Sequence, residues 1–171
     1  GIARPEASIA LYVHIPFCES LCTYCGCNTV ITRNHDKGRE YIDRLFTELD
    51  WYVRHVPGLA SHPVRQLHLG GGTPTFLSPD ELGLLLDGIA DRLSLDDRFE
   101  GSVEVDPRVT TLAHFETMRD RGVTRVSLGV QDIDEEVQRL INRHQPLAIT
   151  TALVDGARTM GFESVNVDLV Y

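Results

Sequence analysis

No run of apolar residues in this sequence approaches the roughly 20 needed to cross a bilayer. The most apolar window, Leu82 to Ile89, is broken by Asp87. There is no secretory signal. Positive charge is scarce as well: 16 Lys and Arg stand against 25 Asp and Glu, for a net charge of -9. A chain so charged repels a phosphate backbone, and no basic run interrupts it, which counts against nucleic acid as a partner. Cysteine is missing from all but one ten-residue window, which holds Cys18, Cys22, Cys25 and Cys27. That distribution excludes a disulfide framework, because disulfides staple distant parts of a chain and a chain without export features keeps its thiols reduced. The expected location is the cytoplasm, and the expected use of four neighbouring thiols is metal binding.

What is present reads as one globular α/β unit. Of the 171 residues 42% are hydrophobic and 24% charged, enough for one core, and no repeat, linker or low-complexity stretch divides residues 1–171. Leu11 to Pro16 reads as a strand, followed by a polar, cysteine-bearing loop to about Asp36. Tyr41, Leu45, Leu49, Tyr52, Val53 and Val56 recur at helical spacing until Pro57-Gly58 ends the pattern. Val64 to Leu69 is a second strand. Ser78-Pro79-Asp80-Glu81 has the form of a capping box ahead of the stripe Leu82, Leu85, Leu86, Ile89 and Leu93. Ser102 to Asp106, Arg125 to Val130 and Ser164 to Val170 complete five strands; a helix around Leu112, Phe115 and Met118 ends near Gly122, and a helical region from Glu135 to Met160 is interrupted at Pro146.

Alternation at this spacing predicts right-handed βαβ units, and hence a parallel sheet buried on both faces in a partial (β/α) barrel. The fifth strand has no helix after it and a complete barrel takes about 250 residues. With Gly1 rather than Met at its start, the chain is expected to be a trimmed piece of a longer barrel, truncated after the fifth strand.

Three motifs carry chemistry. Cys18-Glu-Ser-Leu-Cys22-Thr-Tyr-Cys25 puts three thiols on one loop, as three corners of a cubane iron–sulfur cluster require, leaving a fourth iron open. A zinc site is the alternative, although gaps of three, two and one residues crowd a tetrahedron. Gly70-Gly71-Gly72-Thr73-Pro74 follows a strand and lacks the Lys of a P-loop, so it reads either as backbone open to a ligand or as a tight strand-to-helix turn. Glu104, Asp106, Gln131, Asp132 and Asp168 sit at C-terminal strand ends, where parallel barrels build their reaction face. Helix N-caps are the competing role for Asp106 and Asp132. His14 and His68 each read either as a ligand contact or, the favoured reading, as a hydrogen-bonded core histidine, and Arg143 is open to a reading as a solvated helix charge.

Cys-x-x-x-Cys-x-aromatic-Cys after a strand resembles the signature of the radical S-adenosylmethionine superfamily. Within it, Tyr12-Val-His-Ile-Pro-Phe-Cys18, Cys25-Gly-Cys27-Asn28, Leu67 to Thr75, Glu104-Val-Asp-Pro107, Gly129-Val-Gln-Asp132, Gln138 to Arg143 and Asn166 to Tyr171 resemble the oxygen-independent coproporphyrinogen III oxidases. The resemblance implies a 4Fe–4S cluster on Cys18, Cys22 and Cys25, and S-adenosylmethionine chelated to the open iron and split by one-electron reduction. It implies two such cofactors, the first touching Tyr12, Gly71 and Glu104, the second Tyr24, Gly72, Thr73, Gln131, Arg143 and Asp168. Cys27 is the candidate catalytic thiol. It stands where related haem-trafficking chaperones, the competing assignment, usually carry Phe. The implied substrate is coproporphyrinogen III, the implied electron donor a flavodoxin or ferredoxin, and the expected assembly a monomer with no membrane or nucleic-acid partner.

Overall fold

The computed structural model describes residues 8–170; Gly1 and Tyr171 lie outside them. Strand β1 (Ile9–Ile15) leads into a two-residue strand β2 (Phe17–Cys18), which pairs in parallel with β3 (Val30–Ile31). Helix α1 (Asp36–His55) follows, then β4 (Val64–Gly71), α2 (Pro79–Ala90), β5 (Leu95–Val105), α3 (Leu112–Arg119), β6 (Val123–Gln131), α4 (Glu135–Leu140), α5 (Leu147–Thr159) and β7 (Ser164–Leu169). The five long strands form one sheet in the order β1-β4-β5-β6-β7, with every pairing parallel. This is the expected partial α/β barrel: each helical crossover moves the chain one strand further in the same direction.

The expectation that the sheet is buried on both faces is overturned. Val13, Ile15, Leu67, Leu69, Val103, Val105, Val126 and Leu128 point to the helices and are buried. Their alternating neighbours Tyr12, His14, His68, Ser102, Glu104, Ser127 and Asp168 occupy the opposite face and remain partly or fully exposed. The physical reason is the period-2 side-chain alternation of a strand, here apolar toward the helices and polar away from them. His14 and His68 are therefore not core histidines. His14 Nε2 lies 2.9 Å from the Asn28 carbonyl, anchoring the cysteine loop, and His68 spans the Ser102 hydroxyl and the Glu104 carboxylate.

The helices cover the apolar face, with α2 packed between α1 and α3, and α3 against α5. Phe76, Phe115, Met118, Leu82 and Leu85 are almost wholly inaccessible at its centre. The region from Glu135 to Met160 is two helices: α4 stops at Leu140, where Asn142 turns left-handed (φ 52°), and Pro146 stands as the N-cap of α5. Asp106 and Asp132 are not helix caps: Asp134 accepts the Glu136 and Val137 amides at the start of α4, and Thr111 caps α3.

The α2 capping box forms as read. Ser78 Oγ accepts the Glu81 amide at 3.3 Å, and Glu81 Oε2 accepts the Ser78 amide at 2.9 Å. S78A removes one partner of an otherwise orphaned helix-start amide, so its unfolding free energy in urea is expected to fall by about 1 kcal/mol, and S78G by only a few tenths.

Candidate functional site

The loop carrying the cysteines is fixed at both ends and at its tip. At its ends the β2–β3 pairing closes it, with the Val30 amide on the Pro16 carbonyl at 2.7 Å and the Thr32 amide on the Cys18 carbonyl at 2.9 Å. At its tip the Thr23 amide donates to the Ile141 carbonyl at 3.0 Å, the Thr23 hydroxyl to the Leu140 carbonyl at 3.1 Å, and the Asn142 amide group to the Leu21 carbonyl at 2.7 Å. Asn142 adopts a left-handed conformation, φ 52°, that its short polar side chain tolerates. Between loop and strand ends lies a cleft of about 200 Å³.

Twelve of the thirteen site residues expected from sequence border that cleft: Cys18, Cys22, Cys25, Cys27, Tyr24, Gly71, Gly72, Thr73, Glu104, Gln131, Arg143 and Asp168. Tyr12 does not; it is 55% exposed on the polar sheet face, its ring stacked on His68 at 5.7 Å. It stays within electrostatic reach, since burial and then the charges of Glu104 and Cys27 push its phenol up.

All four thiols are free, with Cys22 buried, Cys18 and Cys25 half-buried and Cys27 exposed. Cys18 Sγ lies 3.4 Å from the Thr73 hydroxyl, and burial pushes this thiol up despite that contact. Tyr24 is pushed up to about 12 by burial, opposed by Arg143 and reinforced by Cys22.

Asp106 is the electrostatic centre. Only 8% exposed, it receives Arg108 through Nε at 3.0 Å and Nη2 at 2.6 Å, and Arg143 through Nη1 at 3.1 Å. Burial pushes the carboxyl up, but the two guanidinia outweigh it and hold Asp106 below the usual carboxylate range. Both arginines also reach the Cys22 sulfur, at 3.7 Å each. Arg143 is no solvated charge: it is 5% exposed and further bonded to the Gly129 carbonyl at 2.6 Å and the Gln145 side chain at 3.2 Å. Sequence reasoning missed Arg108, whose signal was its place two residues beyond Asp106 at the same strand end.

Glu104 accepts from the Gly71 amide at 3.3 Å and stands 3.1 Å from His68 Nε2, leaving 45% of its side chain open. Asp168 accepts from the Ser127 hydroxyl at 3.0 Å. Gln131 has φ 71°, uncommon for a side chain of its size, and such strain concentrates at ligand sites.

The glycine run has an internal reason to lack side chains. A Cβ at Gly71 (φ 116°) would stand 2.7 Å from the His14 ring, and one at Gly72 would stand 2.8 Å from the Pro16 and Phe17 backbone. Close approach of β1 and β4 thus demands these glycines before any ligand does.

The donor set fits an iron–sulfur cluster better than a single ion. Among the described residues no three His, Cys, Asp or Glu side chains converge at single-ion spacing. A cubane instead takes its cysteines at separate corners, and Cys18, Cys22 and Cys25 all border the one cleft.

The Radical SAM superfamily profile matches residues 12–171, and the chain belongs to that superfamily. Within it, the chain is 44% identical over its whole length to the oxygen-independent coproporphyrinogen III oxidase of Escherichia coli K12, covering 37% of that protein. It is 44% identical to the protein of the same name from Pseudomonas aeruginosa, over 95% of this chain and 35% of the relative. The solved coproporphyrinogen III oxidase HemN from Escherichia coli, described as a radical SAM enzyme, superposes with a TM-score of 0.91 at 43% identity over 98% of this chain and 38% of that one. The radical S-adenosylmethionine methyltransferase TsrM from Kitasatospora setae shares the fold alone, at TM-score 0.56 and 15% identity over 92% of this chain and 30% of that one. The chain thus spans little more than a third of the coproporphyrinogen oxidases it matches. Family membership brings a 4Fe–4S cluster and S-adenosylmethionine as cofactors. Among the described residues no helix is long and apolar enough to cross a membrane.

D106N would leave two buried guanidinia without their counter-charge, so urea unfolding is expected to show a loss of about 3–5 kcal/mol. The acid dependence has a fixed sign. Because the folded pKa of Asp106 is depressed, its stabilisation is present above the unfolded value of about 3.9 and disappears as pH falls through the folded one. The difference in stability between parent and D106N should therefore be constant above pH ~5 and shrink below ~4.

Proposed function

We propose that this chain is the cluster- and cofactor-binding part of an oxygen-independent coproporphyrinogen III oxidase, an oxidoreductase of the cytoplasm. In this reading it serves the oxidative decarboxylation of two propionate side chains of coproporphyrinogen III to vinyl groups, giving protoporphyrinogen IX. The observation that carries the reading is the 44% identity to enzymes of that name sustained along the entire chain.

Cys18, Cys22 and Cys25 would hold the cluster, leaving one iron to S-adenosylmethionine. When bound there, cluster and cofactor supply one-electron chemistry capable of removing hydrogen from an unactivated carbon. The residues of the chain bind, orient and shield. Glu104 offers carboxylate oxygens to ribose hydroxyls, with Gly71 and Tyr12 beside it on the first cofactor. Tyr24, Gly72, Thr73, Gln131, Arg143 and Asp168 line the same cleft and would serve a second cofactor. There the buried Arg143 provides the positive charge that a carboxylate seeks. Cys27, the exposed thiol, is the candidate for a direct part in turnover. A small flavodoxin or ferredoxin fits the need for single electrons, and we assign a monomer.

The test is anaerobic reconstitution with iron and sulfide, followed by electron paramagnetic resonance of the reduced protein. A cubane signal that changes on adding S-adenosylmethionine is expected, with C18A, C22A and C25A each losing the cluster. A cluster indifferent to S-adenosylmethionine would overturn the open-iron reading. Protoporphyrinogen formation by the full-length protein with reduced flavodoxin tests the substrate, and radical cleavage of the cofactor without vinyl product would reject it.

A further inference from the structure

Arg108 belongs to none of the positions that the family resemblance assigns, yet its side chain joins the cysteine loop to the end of β5. Its Nε and Nη2 grip Asp106 in a two-pronged contact, at 3.0 and 2.6 Å. From that fixed base Nη1 donates to the Ser20 hydroxyl at 3.2 Å and Nη2 approaches the Cys22 sulfur at 3.7 Å. Ser20 and Cys22 are loop residues, 88 and 86 positions away in sequence. The side chain is 19% exposed, so neither its charge nor its donors are well solvated. A guanidinium held this way cannot rotate off the sulfur without breaking its grip on Asp106.

We propose that Arg108 is a positioning residue for the cluster: it orients the Cys22 thiolate and, by donating a hydrogen bond and placing positive charge beside it, raises the reduction potential of the iron–sulfur centre. The physical basis is general. Hydrogen bonds to ligand sulfur and nearby positive charge both stabilise the more negative, reduced cluster, and outer-shell partners fix the ligand's direction. Arg143 makes a contact of the same length to Cys22, but its remaining donors are spent on Gly129 and Gln145, neither of which belongs to the cysteine loop. Only Arg108 ties the thiol to a second anchor on its own loop. The proposal rests on Cys18, Cys22 and Cys25 holding a cluster.

The test compares full-length parent, R108M and R108K, each reconstituted anaerobically and normalised to iron and sulfide content, by a redox titration followed with electron paramagnetic resonance. The titration is run without S-adenosylmethionine, so that effects on cofactor binding do not enter. R108M keeps the length of the side chain and removes all donors and charge. Its ratio of reduced to oxidised cluster at a fixed potential is expected to fall about tenfold, which for a one-electron couple is a negative shift of about 59 mV. R108K, which keeps the charge but has no fork, is expected to shift in the same direction by less. A cluster-loaded R108M with the parental midpoint overturns the proposal. If R108M keeps the parental circular dichroism but holds no cluster, R108K decides: a negative shift supports the sulfur contact, and a parental midpoint overturns it. A parent that is folded and assembles no cluster overturns the cluster reading itself, an outcome distinct from all of these.

Discussion

A single carboxylate between two guanidinia organises this half-barrel's reaction end. Asp106 is buried at the C-terminal end of β5, where an isolated charge would cost several kcal/mol and where Arg108 and Arg143 compensate it. The two arginines come from different directions, one from the turn after the same strand and the other from the segment between α4 and α5. Each also touches the Cys22 sulfur. Strand end, inter-helix turn and cysteine loop are thereby held to one point, and removal of the carboxylate leaves two buried guanidinia with unmatched charge.

The polar sheet face extends the same logic across the molecule. His68 holds Glu104 from one side and Ser102 from the other, while Ser127 holds Asp168 from the adjacent strand. Parallel pairing places these residues in neighbouring rows, because the registers His68 to Ser102 and Ser127 to Asn166 carry the alternation from strand to strand. Side chains fixed by one another in this way present their remaining acceptors in set directions, the requirement for recognising hydroxyls and amines of a ligand.

Legibility in the sequence followed the range of the interaction. The α2 capping box is a three-residue relation and was readable from Ser78 and Glu81 alone. The strand–helix alternation was readable because each element carries its own period, and Pro146 marked the start of a separate helix, although α4 ends six residues earlier at Leu140. The cysteine loop was readable from spacing, and recognition of the family brought Gln131, Arg143 and Asp168 to the same site before any fold was in view. What was not readable was long-range or depended on the second neighbour. Without the resemblance, Arg143 reads as much like a surface charge as a ligand, because its partner Asp106 lies 37 positions away in sequence. The glycines at 71 and 72 suggested room for a ligand, whereas the closeness of β1 is a sufficient cause. The polar face was misjudged because parallel sheets are commonly covered twice, although the alternation of Tyr12, His14, His68, Ser102 and Glu104 was already in the sequence.

The closure of the cysteine loop by β2 and β3 alters the thermodynamics of metal loading. In small metal-folded domains the chain is ordered only when the ion arrives, and part of the binding free energy is consumed in ordering it. Here residues 19–29 form a loop whose ends meet through backbone hydrogen bonds and whose tip is tied by Thr23 and Asn142. The entropy of bringing three thiols onto one short arc is thus lost at folding, not at loading. A loop closed in this way is a preorganised receptor, so that coordination of a metal centre carries little deduction for ordering the chain.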